Sequence, residues 1–206
     1  MDVMAHAERE RAELAALLTD LTPQEWQAPT LCDGWTVRDV AAHVLSYEGV
    51  PMTRIVGRML RSRMSLAGTN ARTLASVDDE SPADLLAKIA RYPRPTGLTA
   101  ARGGGVGLVD AMIHQQDVRR PLGRPRDLDP ERLRYALGFT VTAPPLRGFW
   151  QVRGTRVVAD DVDWAHGRGP EARGPGEAVL MALAGRRGAA DDLTGPGADV
   201  LRERLG

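Results

Sequence analysis

Several features that are common in chains of this size are scarce or absent here. The sequence has one cysteine, Cys32, so no internal disulfide can form, and this composition fits a reducing cytoplasm. It has 27 basic and 27 acidic residues, and this balance argues against a nucleic-acid binder that depends on a basic surface. It has no run of about 18 apolar residues, the length that a membrane helix needs. We therefore expect a cytoplasmic protein that binds neither nucleic acid nor a membrane.

What remains is the composition of an ordinary globular protein. The 206 residues are 43% hydrophobic and 26% charged. A chain of this length buries roughly 70% of its unfolded surface on folding, so it forms a core without disulfides or other cross-links. The length suits one domain, or one domain with a small second one.

Apolar residues recur with helical spacing through the first two thirds of the sequence. Thr36 and Asp39 form an acidic version of a capping box, which predicts a helix start. A shorter helix begins at Ser81, and the glycine-rich residues 97–107 are typical of a loop. The four main helices are predicted at residues 4–20, 37–48, 52–68 and 108–119. Four helices of this length favour a helical bundle.

The pattern changes after residue 125. Asp129 and Pro130 open a further helix, and two strands are predicted at residues 149–152 and 155–159, as a hairpin around Gly154. A loop over residues 166–176 and two short helices, at 177–185 and 198–205, complete the prediction. The chain is therefore expected to be mainly α, with a helical bundle over residues 1–125 and a small α+β domain over residues 126–206.

His114 is the most informative polar residue. Asp110 lies four residues before it and Asp117 three after it, so all three share one face of the predicted helix. Carboxylate and imidazole are both metal ligands, and His43, beside the buried face of another helix, can supply a third. Two histidines and a carboxylate leave coordination positions open, as a catalytic metal requires.

Other interpretations of the same residues stay open. An Asp-x-x-x-His pair is common in helices that bind no metal, and Asp117 could instead form a surface ion pair with Arg120. Cys32 precedes a helix start, where a thiol can become a nucleophile, but no His or Asn arrangement accompanies it in the sequence. His6 and His166 are expected to face solvent.

Three segments resemble one known family. Residues 29–44, PTLCDGWTVRDVAAHV, and 110–123, DAMIHQQDVRRPLG, resemble the second-helix and fourth-helix signatures of the DinB-like, mycothiol-dependent maleylpyruvate isomerase superfamily. Residues 158–186 resemble its small C-terminal domain, which is similar to sterol carrier proteins. The resemblance implies a DinB-like four-helix bundle followed by a small α+β domain. Trp35 and Trp164 lie in these segments, and we expect both to be largely buried.

The resemblance also implies a metal site and a thiol cofactor. It places a divalent metal, usually zinc, on His43, Asp110 and His114. Better-studied members carry glutamate at the position of Asp110, so Asp117 is a possible substitute ligand, or a residue behind the ligands. The cofactor implied is mycothiol, a low-molecular-weight thiol. Three arginines are candidates to bind it by location alone: Arg54, Arg58 and Arg102.

The expected function is a metal-dependent enzyme that uses mycothiol or a related thiol to transfer a thiol to, or isomerise, a small electrophile. A metal-dependent hydrolase that uses metal-bound water is one alternative. A non-catalytic module that binds a small ligand is another. The expected partners are a small thiol and an electrophile, and the chain is expected to be a monomer or a homodimer.

Overall fold

The structure is a computed structural model that describes residues 2–61, 68, 72, 77, 79–143 and 148–206. The chain divides into two compact units, residues 1–124 and residues 125–206. The sequence-based boundary lies within one residue of this division.

The first unit is helical. Its described helices are α1 (Val3–Thr19), α2 (Pro23–Trp26), α3 (Val37–Leu45), α4 (Met52–Arg61), α5 (Pro82–Arg91) and α6 (Gly105–Leu122). Helices α5 and α6 each contact both α1 and α3, so these four helices form a bundle. Its composition differs from the prediction, because α5, predicted only as a shorter helix, takes the place expected for the helix at residues 52–68. Its core includes Leu14, Leu18, Leu45, Leu85 and Val118, all of them buried. Residues 62–67, which the sequence assigned to the helix of α4, lie outside the described residues.

Local sequence signals set the helix starts. The predicted capping box of α3 is confirmed, because Thr36 Oγ1 accepts from the Asp39 backbone N–H while Asp39 accepts from the Thr36 backbone N–H. A box of the same kind, with Ser81 and Asp84, starts α5. Each box satisfies backbone N–H groups that the first turn of a helix leaves unpaired. In α3 this fixes the backbone seven residues before His43.

Helix α6 is longer than the sequence indicated. It begins at Gly105 rather than near residue 108 and continues through Pro121 to Leu122. The prediction that the helix stops before Pro121 was wrong, because a proline in the last turn only removes one backbone hydrogen bond. The helix ends at Gly123, whose left-handed φ of 63° lets its N–H reach the carbonyls of Arg119 and Arg120.

The second unit combines helices with a small sheet. Its helices are α7 (Pro130–Thr142), α8 (Gly148–Gln151), α9 (Gly176–Leu183) and α10 (Pro196–Leu205), with a 3₁₀ turn at Ala189–Asp192. Three strands, β1 (Arg156–Ala159), β2 (Trp164–Gly167) and β3 (Glu171–Gly174), lie in the order β2-β1-β3. Strand β1 pairs antiparallel with β2 and parallel with β3. Helix α9 packs against α7 and β1. The mainly α fold with a small α+β part is confirmed.

Of the two predicted strands, the one at residues 155–159 is confirmed as β1, and the one at residues 149–152 was wrong. Residues 148–151, where the sequence predicted a strand, form helix α8 instead. Phe149 and Trp150 are exposed on this helix. The hairpin joins β1 to β2 instead, and the predicted loop at residues 166–176 contains the end of β2 and all of β3. Strands of four residues with glycine at their ends carry too short a pattern to separate from loops.

Two further features of the fold bear on the expectations. None of the described helices is both long enough and apolar enough to cross a membrane. Trp164 is only partly buried, contrary to expectation, because it lies on β2, an edge strand of the sheet. Trp35 is also only partly buried.

Candidate metal centre

Two helices of the bundle bring His43, Asp110 and His114 together. His43 lies in the last turn of α3, while Asp110 and His114 lie one turn apart on α6, which packs against α3. Asp110 Oδ1 is 3.8 Å from His43 Nε2 and 3.7 Å from His114 Nε2. The ligand atoms of the three side chains all lie within 4.8 Å of one another. The exposed fraction of the side chain is 5% for His43, 11% for His114 and 25% for Asp110.

A second group, Cys32, His114 and Asp117, is also close enough to be considered as a metal site. Spacing distinguishes the two groups. Two N or O ligands on one tetrahedral zinc ion are about 3.3 Å apart, because each metal–ligand bond is about 2.0–2.1 Å. The separations of 3.7 and 3.8 Å in the first group are near this value and too long for hydrogen bonds. His114 Nδ1 and Asp117 Oδ2 are 2.8 Å apart, which is a hydrogen bond.

Asp117 therefore lies behind His114, on the side away from Asp110. Its side chain is fully buried, and an ionised carboxylate can only accept hydrogen bonds. His114 Nδ1–H donates to Asp117 Oδ2, so the other ring nitrogen, Nε2, faces Asp110 and offers its lone pair there once its own proton has left. A carboxylate that holds the far nitrogen of a metal-binding histidine is the usual arrangement in protein metal sites. The geometry favours Asp110 over Asp117 as the carboxylate ligand.

The loop before α3 is fastened to α6 at the same residue. The Leu31 backbone N–H donates to the Asp117 carbonyl at 3.1 Å, and the Cys32 thiol donates to Asp117 Oδ2 at 3.1 Å. The Asp117 carbonyl is available because its normal helical donor, four residues on, is Pro121, which has no N–H. No local pattern predicts this contact, since Cys32 and Asp117 are 85 residues apart.

Aromatic rings pack against the two histidines. The Trp35 ring centroid is 5.1 Å from that of His43 and 6.4 Å from that of His114, and it is nearly parallel to His114. Tyr47 meets His43 edge-on at 5.8 Å. Trp35 and Tyr47 are both partly exposed. Each ring combines an apolar face with one polar group, so a ligand beside the imidazoles can contact both.

The charges around the site shift two pKa values. Burial alone lowers the pKa of His114, but hydrogen bonds with Asp117 and Cys32 and the charge of Asp110 outweigh it and raise that pKa to about 10. Burial alone raises the pKa of Asp110, but His43, His114 and Arg11 together lower it. At neutral pH without metal, His114 is therefore a cation between two carboxylates.

A buried ion pair lies in the same unit, and the sequence reasoning missed it. Arg11 of α1 and Glu48, just after α3, are 2.7 Å apart, with 2% and 0% of their side chains exposed. Glu48 also accepts hydrogen bonds from the Thr99 hydroxyl and from the Thr96 backbone N–H and hydroxyl. The pair joins α1, the end of α3 and the segment before α6, and Arg11 contributes positive charge to the surroundings of Asp110.

The remaining polar candidates lie elsewhere. Arg54 is exposed and Arg58 half-buried on α4, while Arg102 is exposed in the turn before α6, at a left-handed φ of 55°. Their predicted contact with a thiol cofactor stays a prediction. The expectation that His6 faces solvent was wrong, because only 7% of it is exposed on α1. His166 is half-buried on β2 beside Trp164.

Comparisons with known proteins agree with this architecture. Residues 7–50 match a family model described as the mycothiol maleylpyruvate isomerase N-terminal domain, and this match begins within α1 and includes all of α3 with His43. The solved structure of the mycothiol-dependent maleylpyruvate isomerase superposes with a TM-score of 0.56 at 14% identity, over 95% of this chain and 92% of that one. This chain has the fold of the mycothiol-dependent maleylpyruvate isomerase. The resemblance found in the sequence is confirmed.

A second structure of the same isomerase, a histidine-to-alanine mutant, gives a TM-score of 0.55 at 13% identity over the same shares of both chains. No curated protein matches the chain by sequence. At this identity the two structures establish the fold alone, and the chemistry depends on the residues described above.

Proposed function

We propose that this chain is a metal-dependent enzyme that uses mycothiol, or a related low-molecular-weight thiol, to transfer a thiol to a small electrophile or to isomerise it. The proposal depends on one observation above the others. His43, Asp110 and His114 come from two helices and present two imidazole Nε2 atoms and one carboxylate oxygen to a common point. The fold is similar to that of a mycothiol-dependent isomerase, and this similarity is the reason for proposing mycothiol as the thiol.

The donor set fits a catalytic zinc ion. Two histidines and one carboxylate form a set found in catalytic zinc sites, and they leave a coordination position for a substrate. Their spacing is compatible with a shared ion, and the buried Asp117 behind His114 is the outer carboxylate that such histidines usually have. We therefore assign His43, Asp110 and His114 as ligands, and Asp117 as the residue that orients His114.

Each residue has a defined part in the proposed reaction. Asp117 holds the proton on His114 Nδ1, so that His114 offers Nε2, and Asp110 supplies the negative charge that offsets a divalent cation. A divalent ion in this site would deprotonate a coordinating thiol, whose pKa in water is near 8.5, and so make it a nucleophile. Trp35 and Tyr47 limit solvent on one side of the histidines.

Metal content tests the ligand assignment. Purified wild type should contain about one zinc equivalent by elemental analysis. His43→Ala should lose most of it while circular dichroism shows an unchanged helix content. His166→Ala, which removes a half-buried histidine from the second unit, is the matched control and should keep its metal. Equal metal content in wild type and His43→Ala would remove His43 from the site.

Turnover tests the thiol requirement. With a small conjugated electrophile such as a maleyl compound, activity should need both metal and added mycothiol, and it should disappear in His114→Ala. Turnover that continues without thiol but stops with a chelator would favour the hydrolase alternative. Loss of turnover in Cys32→Ala that excess metal does not restore would make Cys32 the nucleophile and contradict an external thiol.

A further inference from the structure

We propose that Cys32 is a positioning residue: its thiol holds the buried Asp117 carboxylate in the place from which it orients His114. This inference rests on the proposed metal site, and it gives the cysteine a function other than nucleophile or ligand. The effect passes from Cys32 through Asp117 and His114 to the metal.

The hydrogen bonds converge on a single oxygen atom. Asp117 Oδ2 accepts from His114 Nδ1–H at 2.8 Å and from the Cys32 thiol at 3.1 Å. The Asp117 side chain is fully buried, and a buried carboxylate without enough donors is costly. The thiol therefore stabilises the carboxylate in the rotamer that reaches His114. Cys32 Sγ and His114 Nδ1 are themselves 3.8 Å apart, so both donors lie on the same side of Asp117.

The backbone places the thiol at this point. Leu31 N–H is bonded to the Asp117 carbonyl, so adjacent residues of the loop contact both the main chain and the side chain of Asp117. Within the loop, Thr30 Oγ1 accepts from the Cys32 backbone N–H at 3.2 Å, and the Trp35 N–H donates to the Cys32 carbonyl at 2.9 Å. These backbone hydrogen bonds hold Cys32 so that its thiol points at the Asp117 carboxylate.

Direct ligation by Cys32 fits the geometry less well. A sulfur ligand would share an ion with His114 through Nδ1, and that nitrogen is already hydrogen-bonded to Asp117. Nε2, by contrast, faces Asp110 and His43 at ligand-like spacing. The thiol belongs to the hydrogen-bonded group and not to the metal-facing group.

Two substitutions separate the hydrogen bond from the side-chain volume. Cys32→Ala removes the donor, whereas Cys32→Ser keeps a donor although it also loses the sulfur. Zinc affinity is measured by competition with a chromophoric chelator. Cys32→Ala should bind zinc about tenfold more weakly than wild type, the lower end of the usual range for groups behind a ligand. Cys32→Ser should recover most of that loss.

Two spectroscopic measurements complete the test. In metal-free protein, the slowly exchanging His114 Nδ1–H proton resonance, assigned by its loss in His114→Gln, should broaden in Cys32→Ala and persist in Cys32→Ser. In cobalt-substituted wild type, no thiolate-to-cobalt charge-transfer band should appear, because Cys32 is not a ligand.

Several results would overturn the inference. Equal zinc affinity in wild type and Cys32→Ala would show that the thiol does not position the site, and equal losses in both variants would show that only volume matters. A charge-transfer band in wild type that disappears in Cys32→Ser would make Cys32 a ligand. If wild type itself binds no zinc, the proposed function fails, and the metal-free proton resonance still decides whether Cys32 orders Asp117 and His114.

Discussion

Metal binding to this site should be coupled to the release of a proton from His114. The pKa of His114 in the metal-free protein is about 10, so its imidazole is protonated at pH 7.5. An ion can bind Nε2 only after that proton leaves. Removing it at pH 7.5 costs about 3 kcal/mol, a weakening of roughly 300-fold relative to the neutral imidazole, because each pKa unit is worth about 1.4 kcal/mol.

Calorimetry measures both consequences. Between pH 6.5 and 8.5 the association constant for zinc should rise by about tenfold per pH unit from His114 alone, since this range lies below its pKa. Titrations in two buffers with different ionisation enthalpies should show about one proton released from His114 for each ion bound.

A variant assigns the effect to His114. Asp117→Asn removes the hydrogen-bonded carboxylate, the strongest interaction that raises the His114 pKa, so that pKa should fall. The pH dependence of zinc binding should then flatten within the measured range, while affinity at high pH falls by about 10- to 100-fold. An affinity independent of pH in wild type, or the same slope in Asp117→Asn, would refute the assignment.

Three further predictions use the same unit of the protein. The stability that protonated His114 gives the metal-free protein is complete below pH 6.5 and lost as pH rises through about 10, so melting temperatures of wild type and His114→Gln should converge over that interval. Glu48→Gln should lower the free energy of unfolding by about 3 kcal/mol in urea titrations, because it leaves Arg11 buried without its counter-charge; no change would show that the pair is not coupled to folding. Cobalt should quench tryptophan fluorescence in wild type and much less in Trp35→Phe, since Trp35 packs against both histidines.

Sequence periodicity predicted the features that depend on neighbours along the chain. The helical spacing of leucines located α1, and the Thr36–Asp39 pair located the start of α3. The same 3.6-residue repeat placed Asp110, His114 and Asp117 on one helix. It did not show that Asp110 faces Nε2 of His114 while Asp117 is hydrogen-bonded to Nδ1. The closeness of His43 depends on the packing of α3 against α6, and the resemblance to a known family predicted it better than composition did.

Contacts between residues far apart in the chain could not be predicted from the sequence. Cys32 meets His114 across 82 residues, and Arg11 meets Glu48 across 37, so no local pattern connects either pair. Strands β2 and β3 were missed for a different reason. Each has four residues, and the glycines that end β2 and β3 are also typical of loops.

Pro121 illustrates a conflict between helix stability and function. By the usual preferences, replacing a proline in a helix with alanine restores a backbone hydrogen bond and makes the helix more stable. Here the restored N–H would compete with Leu31 for the Asp117 carbonyl, which now fastens the loop of Cys32 to α6. A designer who selected sequences for thermal stability alone would choose that substitution and loosen the support of His114. Pro121 costs α6 one backbone hydrogen bond, but stability engineering should leave it in place because it keeps the Asp117 carbonyl open to Leu31.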